Sequence, residues 1–212
     1  MTQGALERVE DRAVHVVDDD PAIRDSLVWL FEARGLPVRT WESGEAFLAG
    51  LDAGTRGCVL LDLRMGGLSG LDVLDRLEAQ GSTLPVIVLT GHGDVPLAVQ
   101  SLKKGAVDFV EKPFDGGDLV ARVCDALALE ERRHAEATAT RAVERRLDSL
   151  SAREREVMEL MLRGLLNKQI ADEIGIAIRT VEVHRAHVLE KFGVRSAVEL
   201  AGRLADLRRG SR

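Results

Sequence analysis

Four short strand-like segments in this chain each lead into a residue able to do chemistry. The run 14–17 leads into Asp18, Asp19 and Asp20; the run 58–61 leads into Asp62. The run 86–89 leads into Thr90, and the run 106–110 into Glu111, Lys112 and Pro113. Apolar runs of this length read as buried strands. If the strands are parallel, their carboxyl ends meet at one rim, where open α/β sheets bind ligands. That rim would gather an acidic cluster, the lone Asp62, a hydroxyl and an ammonium. Asp18 and Asp19 beside Asp62 suit Mg²⁺, which binds through a few carboxylates and retains waters. Lys112 would face the negative charge of a phosphoryl group in transfer, and the Thr90 hydroxyl would bond that group once attached. The chemistry indicated is transfer of a phosphoryl group to Asp62. Each residue alone has a plainer explanation: Asp20 caps a helix that starts at Pro21, Asp62 caps a turn, Thr90 ends a strand, and Lys112 is a surface charge. Their recurrence at the ends of different strands favours a pocket.

The elements that must position them alternate. A second strand is expected at 38–40. Helices are expected at about 22–34, closed by Gly35, and at 45–49 after Ser43-Gly44. Others are expected at 70–80 and 95–104, with a fifth starting near Gly117. Five βα units with short connections imply one five-stranded parallel sheet covered on both faces, a doubly wound, flavodoxin-like α/β fold. Right-handed crossovers leave few topologies. Residues 119–147 contain no Pro or Gly, so the last helix has no stop. This segment reads as a long helix or helical linker, well solvated beyond Leu129, or as a flexible charged tether.

From Leu150 onward only helices are expected. Ser151 and Glu154 have capping-box spacing, and so do Ser196 and Glu199. Helices are expected at about 152–163, 167–174, 179–192 and 197–207, with stops at Gly164, Gly175 and Gly193. Helix, short Gly-containing turn, helix is the helix-turn-helix layout. The expected organisation, whose bounds follow from the family resemblance given below, is 12–130 as a phosphoacceptor domain, 131–147 as a linker and 148–209 as a DNA-binding domain.

Composition agrees with two small folded domains. Of the 212 residues 45 % are apolar but only 3 % aromatic, so the cores must be built from aliphatic side chains. No run approaches the roughly 18 apolar residues that span a bilayer, and residues 1–12 show no apolar signal region. Cys58 and Cys124 lack metal-ligand spacing and read as two buried, reduced thiols of a cytoplasmic protein. The net charge of −6 is unevenly split: residues 148–212 carry 12 Lys and Arg against 10 Asp and Glu, the remainder 17 against 25. One DNA-facing domain and one metal-binding domain would give this asymmetry.

In the helix 179–192, Val181, Val188, Leu189 and Phe192 fall on one face, which should be core. Glu182, Val183, Ala186 and Glu190 fall on the opposite face. Val183 and Ala186 would meet thymine methyls in a major groove, and Glu182 would accept from cytosine N4. Lys168, Arg179, Thr180, Arg185, Lys191 and Arg195 surround this helix and would hold phosphates. The alternative is an ordinary helical domain with scattered charges. His184 is expected to pack near the core, and His92 to lie in a surface loop.

The segments Val16-Val17-Asp18-Asp19-Asp20, Leu61-Asp62-Leu63-Arg64-Met65, Val88-Leu89-Thr90-Gly91 and Asp108-Phe109-Val110-Glu111-Lys112-Pro113-Phe114 resemble the receiver domain of two-component response regulators. The resemblance implies that Asp62 is the phosphoacceptor. It implies Mg²⁺ bound directly by Asp19 and Asp62, through water by Asp18, and by the backbone carbonyl of Arg64. Thr90 and Phe109 match the switch pair, and Lys112-Pro113 the family's Lys with a cis-Pro. Where the family usually has Pro after the Met, this chain has Gly66 and then Gly67, and a looser loop is expected there. Residues 150–157, Asn167-Lys168-Gln169-Ile170-Ala171 and 179–185 resemble the LuxR-type helix-turn-helix, and the combination is similar to the NarL/FixJ family. Leu166 and Ala177 stand where relatives usually carry Ser; at Ala177 about 1 kcal/mol of capping would be missing. The resemblance implies a DNA-binding transcription regulator rather than an enzyme. Its partners would be a sensor histidine kinase, double-stranded promoter DNA, a second copy of itself when phosphorylated, and RNA polymerase. Two rivals remain. A phosphatase of the haloacid-dehalogenase type would want an Asp two residues after the nucleophile, where Arg64 stands. A receiver that binds partners without phosphorylation would not need the intact Asp19, Asp62, Thr90 and Lys112.

Overall fold

The computed structural model describes residues 12–91 and 95–210, with side chains excepted at 95 and 206–210. His92 and the N-terminal segment 1–11 lie outside the described residues. The chain divides into two compact units between Arg133 and His134.

The first unit alternates strand and helix: β1 (Arg12–Val17), α1 (Pro21–Glu32), β2 (Val38–Trp41), α2 (Gly44–Ala49), β3 (Arg56–Asp62), α3 (Gly70–Ala79), β4 (Val86–Thr90), α4 (Val95–Lys103), β5 (Asp108–Glu111) and the start of α5 (Gly116–Asp148). The strands are all parallel, in the order β2-β1-β3-β4-β5. The chain reverses direction across the sheet between β1 and β3, which opens a crevice at their carboxyl ends. Side-chain alternation sorts the apolar runs onto two cores. Val14, Val16, Leu60, Ile87 and Leu89 pack against Leu27 and Phe31 of α1 and Leu119 and Val123 of α5. Val17, Val59, Leu61, Val86 and Val88 pack against Phe47 of α2 and Val73, Leu74 and Leu77 of α3. Burial on both faces is why these strands read as continuous apolar runs. Gly57 (φ +124°) marks a close approach: a Cβ there would lie 1.8 Å from the Ala13 carbonyl oxygen in β1.

Local signals set the helix starts. The Asp20 carboxylate accepts from the Ala22 N–H at 2.8 Å with Pro21 in the first turn, so Asp20 is both an N-cap and the flank of a pocket. Ser43 caps α2, and Ser69 with Asp72 forms a capping box on α3.

The segment after Leu119 is one continuous helix to Asp148, and the flexible-tether alternative is set aside. The expectation that it is solvated throughout beyond Leu129 needs correction. Glu130 is buried, and its two oxygens accept from Arg56 Nε and Nη2 at 2.6 and 3.0 Å, with Arg12 adding an ion pair at 3.3 Å. A carboxylate can be buried where a bidentate guanidinium meets it.

In the second unit the last turns of α5 join α6 (Ala152–Leu162), α7 (Asn167–Ile174), α8 (Ile178–Phe192) and α9 (Ala197–Gly210). Val143, Met158, Val188, Phe192 and Leu200 form one cluster; Val157, Leu160, Met161, Ile170 and Val181 form the next. Gly175 in the left-handed conformation ends α7 and starts the turn into α8. The Ser151–Glu154 capping box is present. Ala177 at the N-cap of α8 makes no side-chain cap bond, nor does Leu166 at that of α7, although Gln169 Oε1 accepts the Leu166 N–H at 2.8 Å.

Candidate functional site

The carboxyl ends of β1, β3 and β5 bring three charged side chains together. Asp18 is buried: Oδ1 accepts the Asp20 N–H at 2.9 Å and Oδ2 accepts from Lys112 Nζ at 2.7 Å. The same ammonium donates to Asp62 Oδ1 at 3.0 Å. Asp62 is 7 % exposed. One oxygen each of Asp18, Asp19 and Asp62 lie within 4.8 Å of one another. These all-oxygen donors, anionic and convergent, fit a hard divalent cation. Burial raises the Asp62 carboxyl above its ordinary range, while Lys112 pulls it the other way and Asp18 adds to the rise. Burial works against the Lys112 ammonium, but its hydrogen bonds to Asp18 and Asp62 prevail and hold its pKa above the usual value. Lys112 therefore stays charged beside Asp62.

Neighbouring elements hold these groups in place. The Lys112 N–H donates to the Thr90 carbonyl at 2.7 Å, and the Lys112–Pro113 peptide is cis, as the resemblance implies. Arg24 Nη1 donates to the Asp18 carbonyl at 2.8 Å and braces the acidic turn from the first turn of α1. The Arg64 backbone N–H bonds the Asp62 carboxylate. Thr90 is buried, and its hydroxyl makes a long 3.4 Å bond to the Gly91 carbonyl. Thr90 pairs in register with Glu111 and Phe109 with Val88, so Thr90 and Phe109 share one face of the sheet two residues apart. Phe109 is partly exposed and lines a cavity of about 380 Å³ with Phe114 and Arg122.

The loop after Asp62 makes two backbone bonds to carboxylates from neighbouring elements. The Gly66 N–H donates to Asp19 Oδ2 at 2.9 Å, and the Leu68 N–H to Glu45 Oε1 at 2.9 Å. Gly67 has φ +83°, and a Cβ there would lie 2.6 Å from Glu45 Oε1. Glycine's freedom acts in the unfolded chain; in the folded chain the carboxylates of Asp19 and Glu45 accept from this segment. Sequence reasoning missed Arg24 and Glu45. Arg24 lies one helical turn past the acidic cluster, which is a usable signal. Nothing in the spacing links Glu45 to a loop 23 residues away.

On α8 the sequence pattern holds. Val181, Val188 and Phe192 are buried, while Glu182, Val183, Ala186 and Glu190 are exposed, Val183 by 44 %. Lys168, Arg179, Thr180 and Arg195 are exposed around it and Arg185 is half-buried. Arg179 is bridged to Glu182 at 3.1 Å. His184 is half-buried, as expected. Lys191, expected to hold a phosphate, also has partners within the helical unit. Its ammonium donates to Glu154 Oε2 at 2.7 Å and to the Ser149 carbonyl at 2.9 Å, tying α8 to the start of α6. The capping-box Glu154 is buried, and a cation one helix away is its natural partner. The cysteine expectation also splits. Cys58 is buried and its thiol is pushed up to about 12 by burial, whereas Cys124 is exposed.

With this geometry in place, comparison with known proteins gives the family. Residues 14–124 match the response regulator receiver domain, and residues 148–204 match the bacterial regulatory proteins of the luxR family. The chain belongs to the two-component transcriptional response regulators that join these two domains. It is 56 % identical to the C4-dicarboxylate transport transcriptional regulatory protein DctR of Rhodobacter capsulatus, over 89 % of this chain and 96 % of that one. It is 48 % identical to the transcriptional regulatory protein FixJ of Azorhizobium caulinodans, over 90 % of each. Among solved structures, the response regulator StyR is similar with a TM-score of 0.84 and 39 % identity, covering 92 % of this chain and 98 % of that one. Full-length FixJ from B. japonicum gives a TM-score of 0.56 and 42 % identity, covering 93 % of this chain and 98 % of that one.

The Lys191 tie has a consequence in acid. The Lys191 hydrogen bond, with the Ser151 N–H, lowers the Glu154 carboxyl from its ordinary 4.5 to about 2. A depressed carboxyl pKa contributes stability above the unfolded value and loses it as pH falls through the folded one. The helical unit is therefore expected to lose stability as pH falls from about 4.5 to about 2. Lys191→Met should flatten that part of the profile in denaturant melts. An unchanged acid slope in the variant would contradict the assignment.

Proposed function

We propose that this protein is a transcription regulator switched by phosphorylation of Asp62, with a sensor histidine kinase as the donor. The observation that carries the reading is the single Lys112 ammonium bonded to both Asp18 and Asp62. In the step, an Asp62 carboxylate oxygen attacks phosphorus, and the bond to the donor breaks with its electron pair left on the donor. Lys112 then moves its hydrogen bonds toward the incoming phosphoryl oxygens, and the weakly held Thr90 hydroxyl turns to another of them. Asp19 and Asp62 would hold Mg²⁺ directly, Asp18 through water, with the Arg64 carbonyl completing the protein ligands. Bound there, the ion would neutralise phosphoryl oxygens. No helix among the described residues is long and apolar enough to cross a membrane; the reading places the protein in the cytoplasm and assigns it no enzyme activity of its own.

Phosphorylation is read out as pairing of two copies. Phe109 shares a sheet face with Thr90, and with Val99 and Leu102 of α4 it is a large apolar residue left exposed. A second copy covering these residues would bring two helix-turn-helix units to two half-sites, where avidity helps. α8 would then enter the major groove, with Glu182, Val183 and Ala186 at base edges and Lys168, Arg179, Thr180 and Arg185 at phosphates. RNA polymerase is the onward partner. Functional boundaries of 12–130, 131–147 and 148–209 go with this reading.

Two experiments test it. Incubated with acetyl phosphate, the wild type is expected to form a hydroxylamine-labile acyl phosphate and Asp62→Asn to form none. Equal labelling of the two would place the acceptor elsewhere. In a selection from random DNA, Val183→Gln should change preference at particular base pairs, by roughly 1–3 kcal/mol each. An identical preferred site with affinity lost evenly would show that this face does not read bases.

A further inference from the structure

The turn that carries the acidic residues is closed by a side chain from the helix after it. β1 ends at Val17 and α1 begins at Pro21, so Asp18, Asp19 and Asp20 make the turn. Arg24, half-buried in the first turn of α1, reaches back and donates from Nη1 to the Asp18 carbonyl at 2.8 Å. Arg24 is itself anchored: its N–H donates to the Asp20 carbonyl at 3.1 Å, and the Asp20 carboxylate caps α1. We propose that Arg24 is a positioning residue for the cation site: by holding the peptide between Asp18 and Asp19 it presents both carboxylates to Mg²⁺ without touching the ion. The inference rests on the Mg²⁺ reading above and adds a residue to it.

The other polar groups of Asp18 are held from elsewhere. Its N–H donates to the Trp41 carbonyl at 3.2 Å, Oδ1 accepts the Asp20 N–H, and Oδ2 accepts from Lys112. The carbonyl is what Arg24 adds to this set. A peptide group is planar, so the orientation of the Asp18 carbonyl also sets the direction in which Asp19 leaves the turn. Asp18 is buried and fixed through its own side chain, whereas Asp19 is exposed. What Asp19 gains from Arg24 is a fixed backbone from which its carboxylate projects. A turn that samples several backbone conformations gives up that freedom when a cation binds, and one already held does not. The partner of Arg24 also argues for a geometric use. An arginine placed to neutralise the cluster would bridge its carboxylates, as Lys112 does; the Arg24 bond goes to a carbonyl. A charged donor makes that bond stronger than a neutral one would.

The full-length protein, freed of metal with chelator, is titrated with Mn²⁺, which like Mg²⁺ takes carboxylate and water oxygens. Binding is followed by water-proton relaxation well below the melting temperature, and the melting temperature without metal is recorded separately. Arg24→Met removes the donor and keeps an apolar stem. Arg24→Gln keeps a polar end that falls short of the carbonyl. Each should weaken Mn²⁺ binding roughly three- to tenfold, as expected for one bond from a charged donor. In an Asp19→Ala background the same substitutions should cost less, because one of the carboxylates that Arg24 positions is gone. Wild-type affinity in either folded variant, however far its melting temperature falls, overturns the proposal while leaving the cation site intact. So does an equal loss in both backgrounds, which would mark a general loosening of the domain. No Mn²⁺ response in the wild type would instead overturn the site itself, and this inference with it.

Discussion

The receiver pocket depends on one ammonium shared by two carboxylates. Lys112 reaches Asp18 and Asp62 from the end of β5, while they follow β1 and lie at the end of β3. Without it, two largely buried carboxylates would face each other and a third, Asp19, with no cation between them. Removing one partner from such a cluster typically costs ~3–5 kcal/mol, because the remaining charges stay buried. The sheet order exists in service of this meeting: only with β1 beside β3, and β5 close by, do residues 18, 62 and 112 converge. The two apolar cores on either face hold the strand ends in register. The cluster is also what phosphorylation would disturb, since a phosphoryl group on Asp62 offers Lys112 new oxygens and draws on Thr90.

A second tie of the same kind organises the helical unit. Lys191 and the capping-box Glu154 fix the start of α6 against the end of α8. The bond leaves the middle of α8 with Val183 and Ala186 outward. The division of labour is physical: the buried side of α8 is aliphatic, its end is pinned by a charge pair, and its exposed side carries the apolar residues that no packing requirement explains.

Much of this was legible in the sequence because strand periodicity and strand-end chemistry are local signals. Asp18, Asp62, Thr90 and Lys112 each come at the end of an apolar run, and parallel pairing alone brings them to one rim. The helix starts at Asp20, Ser43 and Ser151 were readable from cap residues. Less legible was whatever depended on a partner distant in sequence. The Lys191 tie to Glu154, 37 residues earlier, could not be read because nothing local marks Glu154 as buried. Gly66-Gly67 gave no hint of this loop's bonds, because glycine propensity says nothing about Asp19 and Glu45 as acceptors. Glu130 looked solvated within a charged run because Arg56 lies 74 residues away. Cys124 looked buried because a helical context does not say which side of the helix faces the sheet.

The central claim is that occupation of the Asp62 site by a phosphoryl-like group drives pairing of two copies. Sedimentation velocity of the full-length protein, with Mg²⁺ present and with or without beryllofluoride as a phosphoryl mimic, tests it most directly across a wide concentration range. The account predicts a shift toward dimer at concentrations where the untreated protein is less associated. A sedimentation profile that beryllofluoride leaves unchanged at every concentration would contradict it.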